Sequence, residues 1–266
     1  MTGALRYEWV RITTIGSTYW FYGIALALTL LITIFVTWGV NSSVPDDFSL
    51  VEATTWVITG GASAVIIPVL AAPFCAAIGV LTLGHEYRYG TNKATLTAVP
   101  DRYAVLTAKI VVLTGWVLVT VGSILFVNFA IAGLFLNIFD VSGDTIRPVL
   151  LYVLYCLGFA YVGLGLSAIL RNQTGAMVAV LVYPLVVEPI INGIMSLLGE
   201  VNQGFESLAN LLPAAAGRRM MFSPFDEQAG FGQLDTWGIG PSALIFVIGV
   251  AITIAAGATL FVKRDA

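Results

Sequence analysis

Long apolar runs separated by short polar islands organise this chain. Six runs stand out, at roughly 19–40, 56–82, 110–136, 148–170, 175–198 and 242–262. A helix needs about 20 apolar residues to cross the hydrocarbon core of a bilayer. Barrel strands need only about 9–11 residues of alternating character, so these runs are far too long for that role. The pattern predicts an all-α integral membrane protein with six transmembrane helices in one domain over 1–266. Ahead of the first run, residues 1–18 place Leu5, Trp9 and Ile12 on one helical face, with Arg6, Tyr7, Arg11 and Thr14 turned away. That spacing predicts an amphipathic helix lying in the membrane interface, with Trp9 at headgroup depth. Residues 199–240 form the longest stretch between runs. Leu208, Leu211, Leu212, Met220 and Met221 recur through it, flanked by Phe205 and Phe222, and Pro213 and Pro224 divide it. Short amphipathic or re-entrant helices are expected there.

Composition sharpens the class. Of the 266 residues 58% are hydrophobic and 10% charged, and the mean hydropathy is +0.93. A soluble domain carries roughly 25% charged residues, so this chain could not cover itself with polar groups in water. Charge then sets an orientation. With the N-terminus inside, the inner segments hold Arg6, Arg11, Arg88, Lys93, Arg102, Lys109, Arg171, Lys263 and Arg264, and the outer segments only Arg147, Arg218 and Arg219. Lys and Arg gather on the cytoplasmic side of membrane proteins. The expected placement is a multi-pass protein of the plasma membrane with both termini cytoplasmic. Most acids, among them Asp46, Asp47, Glu52, Asp140, Asp144, Glu200, Glu206, Asp226, Glu227 and Asp235, fall on the other side. A pI near 5.1 with no basic arm gives no sign of a nucleic-acid partner. Cys75 and Cys156 lie within apolar runs and read as small packing residues. Pro68 and Pro73 in the second run can kink it. Gly158, Gly163 and Gly165 in the fourth allow close helix approach.

Residues 84–109 form a compact polar island between the second and third runs. Gly90-Thr91 can end one helix and start another, with Thr91 as an N-cap. Residues 91–98 then make a short helix. Pro100 ends it and suits the first turn of the next helix, and Asp101 suits that helix's positive end. The predicted product is a helix lying across the membrane face and braced by two long spans. His85, at the end of the second run, reads as an interfacial residue. The pattern Glu86-x-x-x-Gly90-Thr91, followed by Leu96, Pro100, Arg102 and Lys109, resembles the loop after the second span in permease subunits of type-2 ABC exporters. Six spans, an amphipathic first helix and a helical outer segment before the last span are similar too. The resemblance implies that residues 91–98 are a coupling helix docking into a separate ATPase subunit, and that the Glu86 region with Arg88 touches the same partner. It also implies a second permease subunit, identical or related, with lipid around the pair.

The chain has no G-x-x-x-x-G-K-[ST] phosphate loop. Without that cradle of backbone amides and lysine it has no ATPase site of its own. It is expected to bind no cofactor, with ATP and Mg²⁺ held by the partner. Glu188, between Pro184 and Pro189 and one turn before Asn192, is the other residue to explain. A charge at the bilayer centre costs roughly 2.5–3.5 kcal/mol on insertion scales. Glu188 therefore reads either as a substrate or proton site lining a pathway with Asn192 and Asn128, or as a carboxyl bonded to one of those asparagines and fixing a proline-bent helix. Two further functions fit the sequence: a proton-coupled carrier using Glu188, and a non-transporting membrane immunity or scaffold protein. Arg218 and Arg219 on the outer side read as a solvated pair, with contact to anionic headgroups or substrate as the other reading.

Overall fold

The computed structural model describes residues 2–43, 50–62, 69–136, 141–199, 208–221 and 237–263. Helices make up this part, with no strand among the described residues. They are α1 (Thr2–Thr14), α2 (Gly16–Ser43), α3 (Leu50–Ile58), α4 (Ala71–Tyr89), α5 (Asn92–Ala98), α6 (Arg102–Phe135), α7 (Gly143–Leu170), α8 (Gln173–Val182), a π-helical turn (Tyr183–Val187), α9 (Glu188–Gly199), α10 (Pro213–Arg219) and α11 (Ile239–Lys263). Five helical stretches are long and apolar enough to cross a membrane: α2, α6, α7, the continuous run from α8 through α9, and α11. The protein is a multi-pass membrane protein.

The run 56–82, expected as one span, is divided between α3 and α4. The physical cause is local. Gly60 and Gly61 take φ of 60° and 75°, a left-handed conformation that glycine adopts without a Cβ penalty. Ending α3 there leaves the Ile58 carbonyl without a helical partner. The Asn128 amide of α6 donates to it at 3.0 Å, and the Asn128 carbonyl accepts from the Thr33 hydroxyl of α2 at 3.0 Å. A Cβ on Gly60 would press on Thr29 and Thr33 at 3.0 and 3.2 Å, so the break is packed as well as bonded. Pro73 does not kink α4. It stands in the helix's first turn, where its missing N–H is one that no intrahelical bond would have used. Pro68 lies outside the described residues.

Helix α7 is the axis of the bundle, with its largest contacts to α4 and then to α11. Small residues make this possible. A Cβ on Gly79 of α4 would lie 1.9 Å from the Ala160 carbonyl oxygen of α7, and one on Gly163 would lie 2.1 Å from the Ala76 oxygen. Across the other flank, Gly165 faces the Thr253 carbonyl and Gly257 faces the Gly165 carbonyl, each at 2.8 Å from the missing Cβ. Gly158 makes room for the Phe246 ring. In lipid, helices gain little from burying apolar surface against each other, so close packing of this kind supplies the association energy. The three glycines expected to serve this purpose all do. Cys75 and Cys156, both free and fully buried, sit in the same α4–α7 contact with Tyr152.

Candidate functional site

Two regions gather polar chemistry, one around α5 and one around α10. The first is the α5 end. Helix α4 stops at Gly90, which has φ 68° and whose N–H bonds the Glu86 carbonyl. Thr91 N–H bonds the same carbonyl at 3.0 Å. These bonds fold the chain back at once into α5, within the expected 91–98. Thr91 stands at the N-cap position, but its backbone is helical and its side chain accepts nothing, so its expected capping role is absent. Asp101, not Pro100, begins α6: its carboxylate accepts from the N–H groups of Tyr103 and Ala104 at 3.0 and 3.2 Å. Pro100 lies just outside that helix and not in its first turn.

Helix α5 has two faces. Asn92 and Thr95 are buried, and half-buried Leu96 and Val99 pack on the main core. Lys93, Ala94, Thr97 and Ala98 face outward, joined by exposed Arg88, Tyr89 and Thr91. Arg88 lies over the Tyr89 ring, 5.5 Å from its centre. Arg102 does not join this exposed patch. Its guanidinium donates to the Val262 carbonyl at 2.8 Å and to that of Phe261, tying the start of α6 to the last turn of α11. A cation suits the negative end of a helix.

Beneath α5 lies a cluster of four charges, three of them buried and the fourth, Arg11, partly exposed. Lys109 of α6 is 0% exposed, and its ammonium sits 2.7 Å from Glu8 Oε1 of α1 and 2.5 Å from Glu86 Oε1 of α4. Arg11 of α1 reaches Glu8 Oε2 at 2.7 Å and Glu86 Oε1 at 3.3 Å, and also donates to the Thr82 carbonyl. Taking one charge out of water costs several kcal/mol, and only excellent pairing offsets it. Here two cations meet two carboxylates, and three helices are joined. Glu86, expected to touch a partner, is 1% exposed, and its carboxylate is engaged inside the fold. His85, half-buried next to this cluster, packs on Tyr89 with ring centres 5.5 Å apart. Burial, with the Arg11 and Arg88 guanidiniums near it, holds the imidazole below its ordinary pKa.

Helix α1 forms where expected, but its face is different. Ala4, Glu8 and Ile12 are the buried positions. Trp9 is 47% exposed, with its ring edge-on to Trp116 at 6.3 Å. Reasoning from the sequence passed over Glu8, because it looked for apolar residues on the inward face. The available signal was Lys109: a lone lysine in a long apolar helix calls for carboxylates at its own depth.

The second region is the α10 end. Span five is not a simple proline bend. Tyr183–Val187 form a π-turn in which Glu188 N–H bonds the Tyr183 carbonyl. Pro184, which has no N–H, falls in the turn's first positions. Glu188 follows directly, 2% exposed. Its two oxygens accept from Ala214 N–H at 2.9 Å and Ala215 N–H at 2.7 Å. These are first-turn amides of α10, which no residue of α10's own start can satisfy. The asparagine partners expected for Glu188 are therefore not its partners. Asn128 closes α3 instead, and Asn192 lines a cavity beside the carboxylate. That cavity, about 440 Å³, lies between α4, α7, α9 and α10, and Arg218 also lines it. Arg219 is bonded to Asn210 at 2.8 and 2.6 Å, so the two arginines are not a solvated pair. Within 199–240 a short helix is present at 213–219 as expected. Phe205, Phe222 and Pro224 lie outside the described residues, as do Asp46, Asp47, Asp140, Glu200, Glu206, Asp226, Glu227 and Asp235.

The sequence profile of the family described as "Protein of unknown function (DUF2705)" matches residues 30–266, and the chain belongs to that family. No curated protein matches it.

Proposed function

We propose that this member of the DUF2705 family is the membrane-spanning subunit of an ABC exporter, working as a dimer and driven by a separate ATPase subunit that holds ATP and Mg²⁺. The observation that carries this reading is the mounting of α5. A seven-residue helix sits across one end of the bundle, with a polar, basic outer face and a buried inner face. The chain enters it from α4 and leaves it into α6, and the charge cluster ties both of those helices to α1. A push on α5 is therefore delivered to three helices at once. In this reading Arg88, Thr91 and Lys93 meet the ATPase. Glu86, Leu96 and Arg102 hold the platform, and Gly90 and Pro100 set its two turns. The α5 end and both termini face the cytoplasm, and the pathway runs between two copies. Glu188 and Asn192 lie on its flank, and Asn128 supports it from within α6.

Mild-detergent purification of the tagged chain from its native membrane tests the proposal. A stoichiometric ATPase that is lost when Lys93, Thr97 and Ala98 are replaced together by glutamates supports it. Absence of any ATPase across several detergents overturns it. A proton-coupled carrier has less support, because both Glu188 oxygens are engaged with α10.

A further inference from the structure

The chain has two cysteines, one on α4 and one on α7, and the fold brings them together. The Cys156 thiol is in hydrogen-bonding contact with the Cys75 thiol and with the Tyr152 hydroxyl. Both cysteines are 0% exposed, and both are free. Each stands one helical turn before a residue of a close crossing: Cys75 before Gly79, and Cys156 before Ala160. There a Cβ on Gly79 would lie 1.9 Å from the Ala160 carbonyl oxygen. One turn further on, a Cβ on Gly163 would lie 2.1 Å from the oxygen of Ala76, the residue next to Cys75. The thiols therefore meet because the two backbones meet, and not because long side chains reach across a gap. Distant backbones are what forbids a bridge between two cysteines. Here that obstacle is absent.

We infer that Cys75 and Cys156 form a reversible disulfide that clamps α4 to α7, and that the structure shows its reduced form. The oxidant is a small membrane-permeant disulfide. The Cys156 sulfur loses its proton and attacks one sulfur of the oxidant, whose S–S bond breaks and releases one thiolate. The Tyr152 hydroxyl, already in contact with the Cys156 sulfur, donates to the attacking thiolate. Cys75 then loses its proton and attacks Cys156 in the mixed disulfide, releasing the second thiolate. The two protons go to the two released thiolates, and the two electrons of the cysteine pair end on the oxidant. Because both thiols are sealed inside the α4–α7 contact, exchange requires that contact to part for a moment, and the finished bridge prevents it from parting again. The clamp rests on the thiol pair alone, and it stands whether or not an ATPase docks on α5.

The test uses the full chain in a mild detergent, reduced and freed of reductant, and dithiodipyridine, an aromatic disulfide that releases one coloured thiopyridone for each thiol consumed. The expected result is release of two thiopyridones per chain, an intact mass lower by two hydrogens, and no pyridyl group retained. Peptide mapping should join the segment that holds Cys75 to the one that holds Cys156, and dithiothreitol should reverse the change. Cys75→Ala and Cys156→Ala should each form no bridge and keep one pyridyl group. Oxidation should raise the unfolding midpoint in detergent by roughly 5 °C or more. Any pyridyl group retained on the unaltered chain, or a bridge between two chains, would overturn the proposal. So would a folded chain that stays silent while the chain unfolded in dodecyl sulfate releases both thiopyridones, or an oxidised chain that unfolds no later than the reduced one. If neither alanine variant folds, the mass and the peptide map of the unaltered chain decide the matter alone.

Discussion

Glu86 and Glu188 are both buried carboxylates, 1% and 2% exposed, and the fold satisfies them in opposite ways. Glu86 is met by side-chain cations from two other helices, Lys109 and Arg11. Glu188 is met by two backbone amides of a seven-residue helix. The first arrangement is a network among long helices: remove one member and the others are left charged in a dry place. The second caps the start of one short helix that is also packed on α11: remove it and two first-turn amides lose their partner. The α5 end is therefore built to move as one piece, and the α10 end to be altered locally.

The largest effect is expected from Lys109→Met. It leaves Glu8 and Glu86 buried with Arg11 alone, a loss of about 3–5 kcal/mol by analogy with other broken buried pairs. Thermal unfolding in detergent should show a global fall. Adding Glu86→Gln to that variant should recover much of it, since Arg11 and Glu8 then remain as one paired cation and anion. Failure of the double variant to recover would mean that the full set of ions, not merely its neutrality, is needed.

Next comes Glu188→Ala, which leaves the Ala214 and Ala215 amides unbonded at about 1–3 kcal/mol. Hydrogen exchange should rise at 213–219 while α4 and α6 stay protected. A global loss equal to that of Lys109→Met would erase the contrast between the two ends. Asn128→Leu should cost about 1–3 kcal/mol for the unpaired Ile58 carbonyl, with exchange rising at 59–62. The smallest stability effect is expected from Lys93→Glu on the exposed face of α5, within about 0.5 kcal/mol. Its consequence should appear in ATPase co-purification, so a stability change without a binding change would count against the docking face.

The helical class, the polar island with its short helix, and the glycine contacts of α7 were legible because each rests on local rules: run length, turn chemistry and side-chain size. The charge cluster was half legible. Lys109 was visible as part of a motif, but Glu8 reads as an outward residue until three helices meet around it. The split of 56–82 was hidden for a related reason. Its apolar content is continuous, and only Asn128, 70 residues further on, makes the break affordable in lipid. Glu188 stood out as a charge within an apolar run and read either as a pathway site or as a carboxyl bonded to an asparagine. The partner was a backbone end from another element, which no list of polar side chains contains.

The π-turn in span five also has a geometric meaning. A wider turn absorbs one extra residue within a helix, and at 3.6 residues per turn each residue advances the side chains by about 100°. The faces of α8 and α9 are therefore out of phase by that angle. A chain shortened by one residue within 183–187 would keep its length and hydropathy almost unchanged. Its wide turn would close to an ordinary α-turn and leave Glu188 facing α10; losing the π-turn in the full-length chain would instead swing Glu188 and Asn192 about a quarter of the way round the axis.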